Sequence, residues 1–208
     1  FHDPEPERVA GIKAAALRAL NARMPDAADI RKHAALALWV AHAREIAATA
    51  NDVESATLLG WVARYDLERG DYRSASRLYA QERDIRRRVL GEEHPSTLTS
   101  MSNLANTLHA RGDMAGARKL QEKVLEMQRR VLGEEHPDTL ASMNNLAATL
   151  QAQGDLAGAR SLGEKVLDIR RRVLGEEHPE TLASMSNLAQ TLQAQGDLAG
   201  ARSLGEKV

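Results

Sequence analysis

The sequence predicts an all-α fold, a solenoid of antiparallel helical hairpins, and three observations carry that prediction. The pentapeptide Gly91-Glu92-Glu93-His94-Pro95 recurs at 133–137 and at 175–179, a spacing of 42 residues each time. Within each period two apolar runs follow at helical spacing, interrupted by a Gly-Asp pair. Proline stands at the start of the first run and glycine just beyond the end of the second, the asymmetry of helix starts and stops.

In chain order, Pro6 to Met24 and Asp26 to Ala50 read as two alanine-rich helices separated by Met24-Pro25 and lacking the signature loop. Terminal units of solenoids are usually atypical, so residues 1–50 are expected to cap or lead into the array. The repeats occupy 51–208. The unit at 51–92 is divergent, with Gly70-Asp71 at its turn and Ala75, Leu78, Ile85 and Val89 on the inner face of its second helix. In the unit at 93–134 a first helix (A) begins at Pro95 and aligns Met101, Leu104, Ala105 and Leu108. After Gly112-Asp113 a second helix (B) aligns Ala117, Leu120, Val124, Met127 and Val131 and stops at Gly133, a residue suited to end a helix. The unit at 135–176 repeats this pattern, and the one at 177–208 repeats it in truncated form. Gly175 to Val208 differs from Gly133 to Val166 only at Asp138/Glu180, Asn144/Ser186 and Ala148/Gln190, a sign of recent duplication. About ten helices and no strands are expected. No hairpin buries its apolar face alone, so stacking of neighbours must supply the core. The low aromatic content fits close helix packing through Ala, Leu and Val.

Composition removes several classes of function. The 28 basic and 29 acidic residues leave a net charge of −1, without the field or the aromatic stacking groups that nucleic-acid binding uses. With no cysteine there are no disulfides, thiolate chemistry or Cys-ligated zinc, in keeping with a cytoplasmic protein. The longest apolar run, Ala34 to Ala41, falls far short of the roughly 20 residues that span a bilayer, and no signal peptide is recognisable, so no membrane partner is expected. Phe1 in place of an initiator methionine, and Val208 in mid-pattern, read as the ends of an excerpt from a longer chain. An uncapped C-terminal edge would also favour self-association.

The small and apolar residues around Leu104 to Leu108, the Gly-Asp turn and Ala117 closing the hairpin resemble the tetratricopeptide repeat. The longer unit, Gly133 to Ala147, is similar to the repeats of kinesin light chains and of bacterial signalling NTPases of the STAND class, with the resemblance strongest from Ala75 to Val208. Upstream, Ala34 to Ala48 only loosely resembles the helix joining the nucleotide-binding part of such NTPases to their repeats. The resemblance implies a right-handed superhelical array that holds a protein or peptide on its concave, A-helix face. It also implies a sensor or adaptor role beside an NTPase that these residues do not contain. Two alternatives stand: a structural spacer or self-assembly element, and an accessory domain of a caspase-like peptidase.

Asn103, Asn145 and Asn187 lie nine residues before the turn glycines Gly112, Gly154 and Gly196, where peptide-binding tetratricopeptide repeats carry a groove asparagine. An amide offers a donor and an acceptor together and pairs with an extended peptide backbone of any sequence. The other reading has each asparagine capping or bridging helices. Trp61 holds the corresponding place in the divergent unit, as an apolar anchor for a ligand or as packing against the N-terminal helices. Comparison of the repeats shows A-helix differences at 99/141, 102/144/186, 106/148/190 and 109/151/193, one helical stripe beside these asparagines. On it Ser102, Asn106, Asn144, Ser186 and Gln190 are expected to adjust partner choice. His94, His136 and His178, each a whole hairpin from the next, cannot converge on one metal ion and read as loop residues that fix the connection ahead of the proline. Arg86-Arg87-Arg88, Arg129-Arg130 and Arg170-Arg171-Arg172 close the B helices, where positive charge suits the helix dipole, and acids four residues earlier can pair with them on a solvated face. Gly158 to Lys165 echoes a phosphate-binding loop but lacks its Gly-Lys-Ser/Thr ending and falls inside a helix. No catalytic residue, metal site or cofactor is expected.

Overall fold

The protein, described by a computed structural model at residues 5–23, 29, 32–49 and 51–206, is all-α, with ten helices and no strand among those residues. It divides into two compact units, Phe1–Arg111 and Gly112–Val208. The first contains α1 (Glu5–Arg23), α2 (His33–Ala47), α3 (Val53–Glu68), α4 (Tyr72–Leu90) and α5 (Pro95–Ala110). The second contains α6 (Met114–Val131), α7 (Pro137–Ala152), α8 (Leu156–Leu174), α9 (Pro179–Ala194) and α10 (Leu198–Gly205). The expected break at Met24-Pro25, and the expected helix ends at Asp26 and Ala50, lie outside the described residues.

Each joint carries its own chemistry. At the start of α5, α7 and α9 the preceding histidine is the N-cap: the N–H groups of Ser96, Asp138 and Glu180 donate to Nδ1 of His94, His136 and His178 at 3.1, 3.2 and 3.2 Å. The histidines thus do more than occupy the loop, satisfying a donor that the first helical turn leaves without a partner. Gly91, Gly133 and Gly175 take φ of +93°, +91° and +91°, a region costly for any residue with a Cβ. The side chains of Thr97 and Thr139 then donate back to the carbonyls of Gly91 and Gly133, both at 2.8 Å. His136→Ala is therefore expected to lower stability by about 0.5–2 kcal/mol while His136→Asn, which can accept the same bond, retains most of it; urea unfolding of the full chain measures both.

Packing is periodic in both units. In the second, Leu125, Leu140, Met143, Leu146, Leu150, Ala159, Val166 and Ile169 form one cluster across α6, α7 and α8, and Leu167, Met185, Leu188 and Leu192 continue it into α9. In the first, Leu17, Leu20, Leu36, Val40 and Ala43 of α1 and α2 pack on Leu58, Val62 and Tyr65 of α3. Arg44 of α2 pairs with the buried carboxylate of Asp66, which also accepts from Ser74 Oγ at 2.6 Å, so a polar contact joins α2, α3 and α4.

Two expectations are corrected. Val89 and Val131, read as inner-face residues, are 50% and 41% exposed. The B helices α4 and α6 have 19 and 18 residues against 16 in A helices such as α3 and α7, and both valines stand in or at the end of the last turn. The basic runs are not wholly a solvated face either. Arg86 and Arg170 have side chains only 13% and 8% exposed, and each reaches the following A helix. Nη1 of Arg86 donates to the Ser96 carbonyl at 3.2 Å, and Nη1 of Arg170 donates to the Glu180 carbonyl at 3.0 Å and to Ser184 Oγ at 2.8 Å. They tie the end of one B helix to the start of the next A helix.

Candidate functional site

The A helices set the positions of the candidate residues. In α5, α7 and α9 the main-chain carbonyls of Asn103, Asn145 and Asn187 accept from the hydroxyls of Thr107, Thr149 and Thr191, which are buried one turn later. The asparagine residues are half-buried at 103 and 145 and exposed at 187. Among the described residues the hydrogen bonds of these three asparagines outside the helix ladder are those main-chain ones.

In the second unit a groove of about 170 Å³ gathers four of the candidates, Asn144, Asn145, Asn187 and Gln190. Its floor is Ala147, Ala159 and Leu188, together with Gly163, where a Cβ would come within 3.2 Å of Leu188 Cδ1. Small residues thus leave the backbone of α8 open beneath four amide side chains. In the first unit Trp61 and Asn103 line a larger cavity of about 400 Å³ between α3, α4 and α5. Trp61 also packs against the cluster formed by α1, α2 and α3. Ser102, Asn106 and Ser186 line neither cavity. The serine hydroxyls donate to their own helices, at Leu98 O (3.0 Å) and Leu182 O (3.2 Å), while Asn106 is exposed.

The larger cavity contains residues that the sequence reading passed over. Gly60, Arg64, Tyr79, Glu82 and Arg86 line it with Thr57 and Thr99. Glu82 is 4% exposed and holds Arg86 at 2.9 Å through Oε1, while Oε2 has no hydrogen-bond partner. Burial carries its pKa from 4.5 up to about 7, against the opposing pull of the Arg86 guanidinium and the Ser100 hydroxyl. Tyr79 is pushed upward by burial and by the neighbouring Glu82. A signal was available in the sequence: at the 42-residue period Glu82 falls in register with Val124 and Val166, so a charge replaces a core valine.

Among the described residues no group of three or more His, Asp and Glu could hold a metal ion, and no helix is long and apolar enough to cross a membrane. Gly158 to Lys165 lies within α8.

The tetratricopeptide repeat family model matches residues 54–128, 100–171 and 141–208. Among solved structures the chain is similar to a Podosopora anserina protein described as a kinesin light chain with nearly identical TPR-like repeats, at 31% identity over 92% of both chains and a TM-score of 0.77. A variant of that protein matches at 30% identity over the same shares, with a TM-score of 0.79. BtubC (BKLC) from P. vanneervenii, at 19% identity over 97% of this chain and 88% of its own with a TM-score of 0.71, shares the fold. No curated protein matches the chain. Tetratricopeptide repeats are typically non-catalytic modules of protein–protein interaction. With three overlapping matches from 54 to 208 and hairpins of the same architecture, the chain belongs to the tetratricopeptide repeat family.

Proposed function

We propose that the chain is a protein-interaction module whose A-helix surfaces receive a peptide or a partner domain. The observation that carries this reading is the set of unspent amides: Asn103, Asn145 and Asn187 recur at one position per repeat and line the two grooves. Each has a donor and an acceptor to offer, and a ligand in extended conformation presents both along its backbone. Asn144 and Gln190 border the same groove at positions that differ between repeats, and they adjust partner choice there; Ser102, Asn106 and Ser186 act from the rim of the surface.

Replacing Asn103, Asn145 and Asn187 together by alanine is expected to weaken binding of a peptide selected against the full chain from a random display library by tenfold or more, with little change in thermal unfolding. Each lost hydrogen bond contributes about 0.5–1.5 kcal/mol, and tenfold is about 1.4 kcal/mol. Unchanged affinity in a folded triple variant overturns the assignment.

In the wider protein we place the chain as the sensing repeats of a cytoplasmic bacterial signalling ATPase of the STAND class, the context that the resemblance of its 42-residue units supports. A P-loop and winged-helix region encoded upstream is what this placement requires. Self-association is a second reading, supported by the exposed side chains of Leu174 and Leu198.

A further inference from the structure

In the divergent unit four of the departures from the repeat pattern meet at one place. At the 42-residue register Gly60 stands where the other units have Ser102, Asn144 and Ser186, and Trp61 stands where they have asparagine. Tyr79 replaces Gln121 and Gly163, and Glu82 replaces Val124 and Val166. All four line the cavity between α3, α4 and α5. A Cβ on residue 60 would lie 2.8 Å from Glu82 Oε1 and 3.0 Å from Oε2, so the glycine makes the room that the carboxylate occupies.

We propose that this cavity receives one basic side chain of the bound partner, with the Trp61 ring along its alkyl stem and the Glu82 carboxylate taking its cationic head. The inference rests on the reading of the A-helix surface as the partner surface and adds a chemical class to it.

Two arginines and one carboxylate line the cavity, and both arginines already have a carboxylate partner. From α4 it faces Arg86 and Tyr79, and from α3 it faces Arg64, which is already paired with Glu68 at 2.6 Å. From α5 come Thr99, Ser100 and Asn103, none of them charged. Arg86 is spent on Glu82, the Ser96 carbonyl and the Thr57 hydroxyl. The buried atoms of this cavity left without a hydrogen-bond partner are the acceptor Glu82 Oε2 and one donor, Arg86 Nε, whose guanidinium is already held by the same carboxylate. The nearly neutral pKa of this acid shows that one arginine does not offset its burial, and a second cation would hold it ionised. An indole face beside a carboxylate is favourable surroundings for an ammonium or guanidinium group, and the cavity is of ligand-site size. Binding is then linked to deprotonation: affinity is full above pH 7 and falls as Glu82 takes up its proton below it.

The test uses the full chain in a Trp39→Phe background, which leaves Trp61 as the one indole. The probes are the Nα-acetyl N-methylamides of arginine, lysine, norleucine and glutamate, followed by the Trp61 indole signal in NMR. Saturable shifts are expected with arginine and lysine alone, weakening about tenfold between pH 8 and pH 5.5. Glu82→Gln, folded by circular dichroism, should lose about tenfold at pH 8 and flatten the pH dependence; Glu82→Val combined with Arg86→Gln, which leaves no buried charge unpaired, serves as a second variant with the same expectation. An equal response to norleucine, a response to glutamate that grows at acid pH, no saturable response, or full binding by both variants overturns the proposal. Failure here is separable from failure of the groove reading. The second unit's Asn145→Ala/Asn187→Ala variant tests the groove through the selected peptide and leaves the Trp61 titration unchanged.

Discussion

Glu82→Val combined with Arg86→Gln is expected to raise the stability of the protein at pH 8 by about 1–4 kcal/mol, the range found when a buried ion pair gives way to well-packed residues. The two substitutions install the pair that stands at Val124 and Gln128, where Val124 is 1% exposed within the same B-helix register. Changing both members matters, because Glu82→Val alone would leave the nearly buried Arg86 without its carboxylate. The gain carries a pH signature. The unfolded chain ionises this acid near 4.5 and the folded one near 7, so folding takes up a proton between those values. What Glu82 contributes is therefore greatest below the unfolded value and is lost as pH rises through 7, by about 3 kcal/mol at roughly 1.4 kcal/mol per pH unit. Urea midpoints at pH 8 and pH 5.5 should show the advantage of the double variant shrinking at the lower pH. An advantage equal at both would mean that the carboxylate is not the source of the cost.

Met143→Ala should cost about 2–5 kcal/mol, the largest loss expected from a single substitution here. Met143 is 0% exposed and sits among Leu140, Leu146, Val166 and Ile169, where α7 meets α8. Truncation removes buried apolar surface and leaves a cavity that rigid neighbours fill only in part. Met143→Leu, close in volume, should cost less than about 1.5 kcal/mol. Since stability in a repeat protein is a sum over adjacent contacts, the loss should be local. Amide exchange in α7 and α8 should accelerate before that of α3 and α4, and uniform acceleration throughout the chain would contradict this picture.

The hairpins were legible because their punctuation is local. Proline at 95, 137 and 179 opens the A helices, and the Gly-Asp turns at 70, 112, 154 and 196 precede B helices whose aspartates accept the first-turn N–H groups. Such signals depend on a few neighbouring residues and need no knowledge of the fold. The exposure of Val89 and Val131 was not legible, because helical periodicity reports a direction and not whether a neighbour is long enough to cover it. The burial of Arg86 and Arg170 was hidden for a related reason: their partners lie 10 to 14 residues away, across the loop, in the next A helix. The placement of Asn144, Asn145, Asn187 and Gln190 around one groove agrees with their register, whereas the cavity at Trp61 needed both helices of a hairpin to be compared with their counterparts. Reading the A-helix stripe alone left out Glu82, which faces that stripe from α4.

The loops at 91–95, 133–137 and 175–179 contain their own instructions for stopping one helix and starting the next: a glycine at positive φ, a histidine that accepts from the new helix, and a proline. A gene recombining anywhere within these near-identical stretches would add or delete a whole hairpin and restore the same junction. Repeat number can therefore change in one genetic event without a new joint having to evolve, while a departure such as the one around Glu82 stays private to the copy that acquired it.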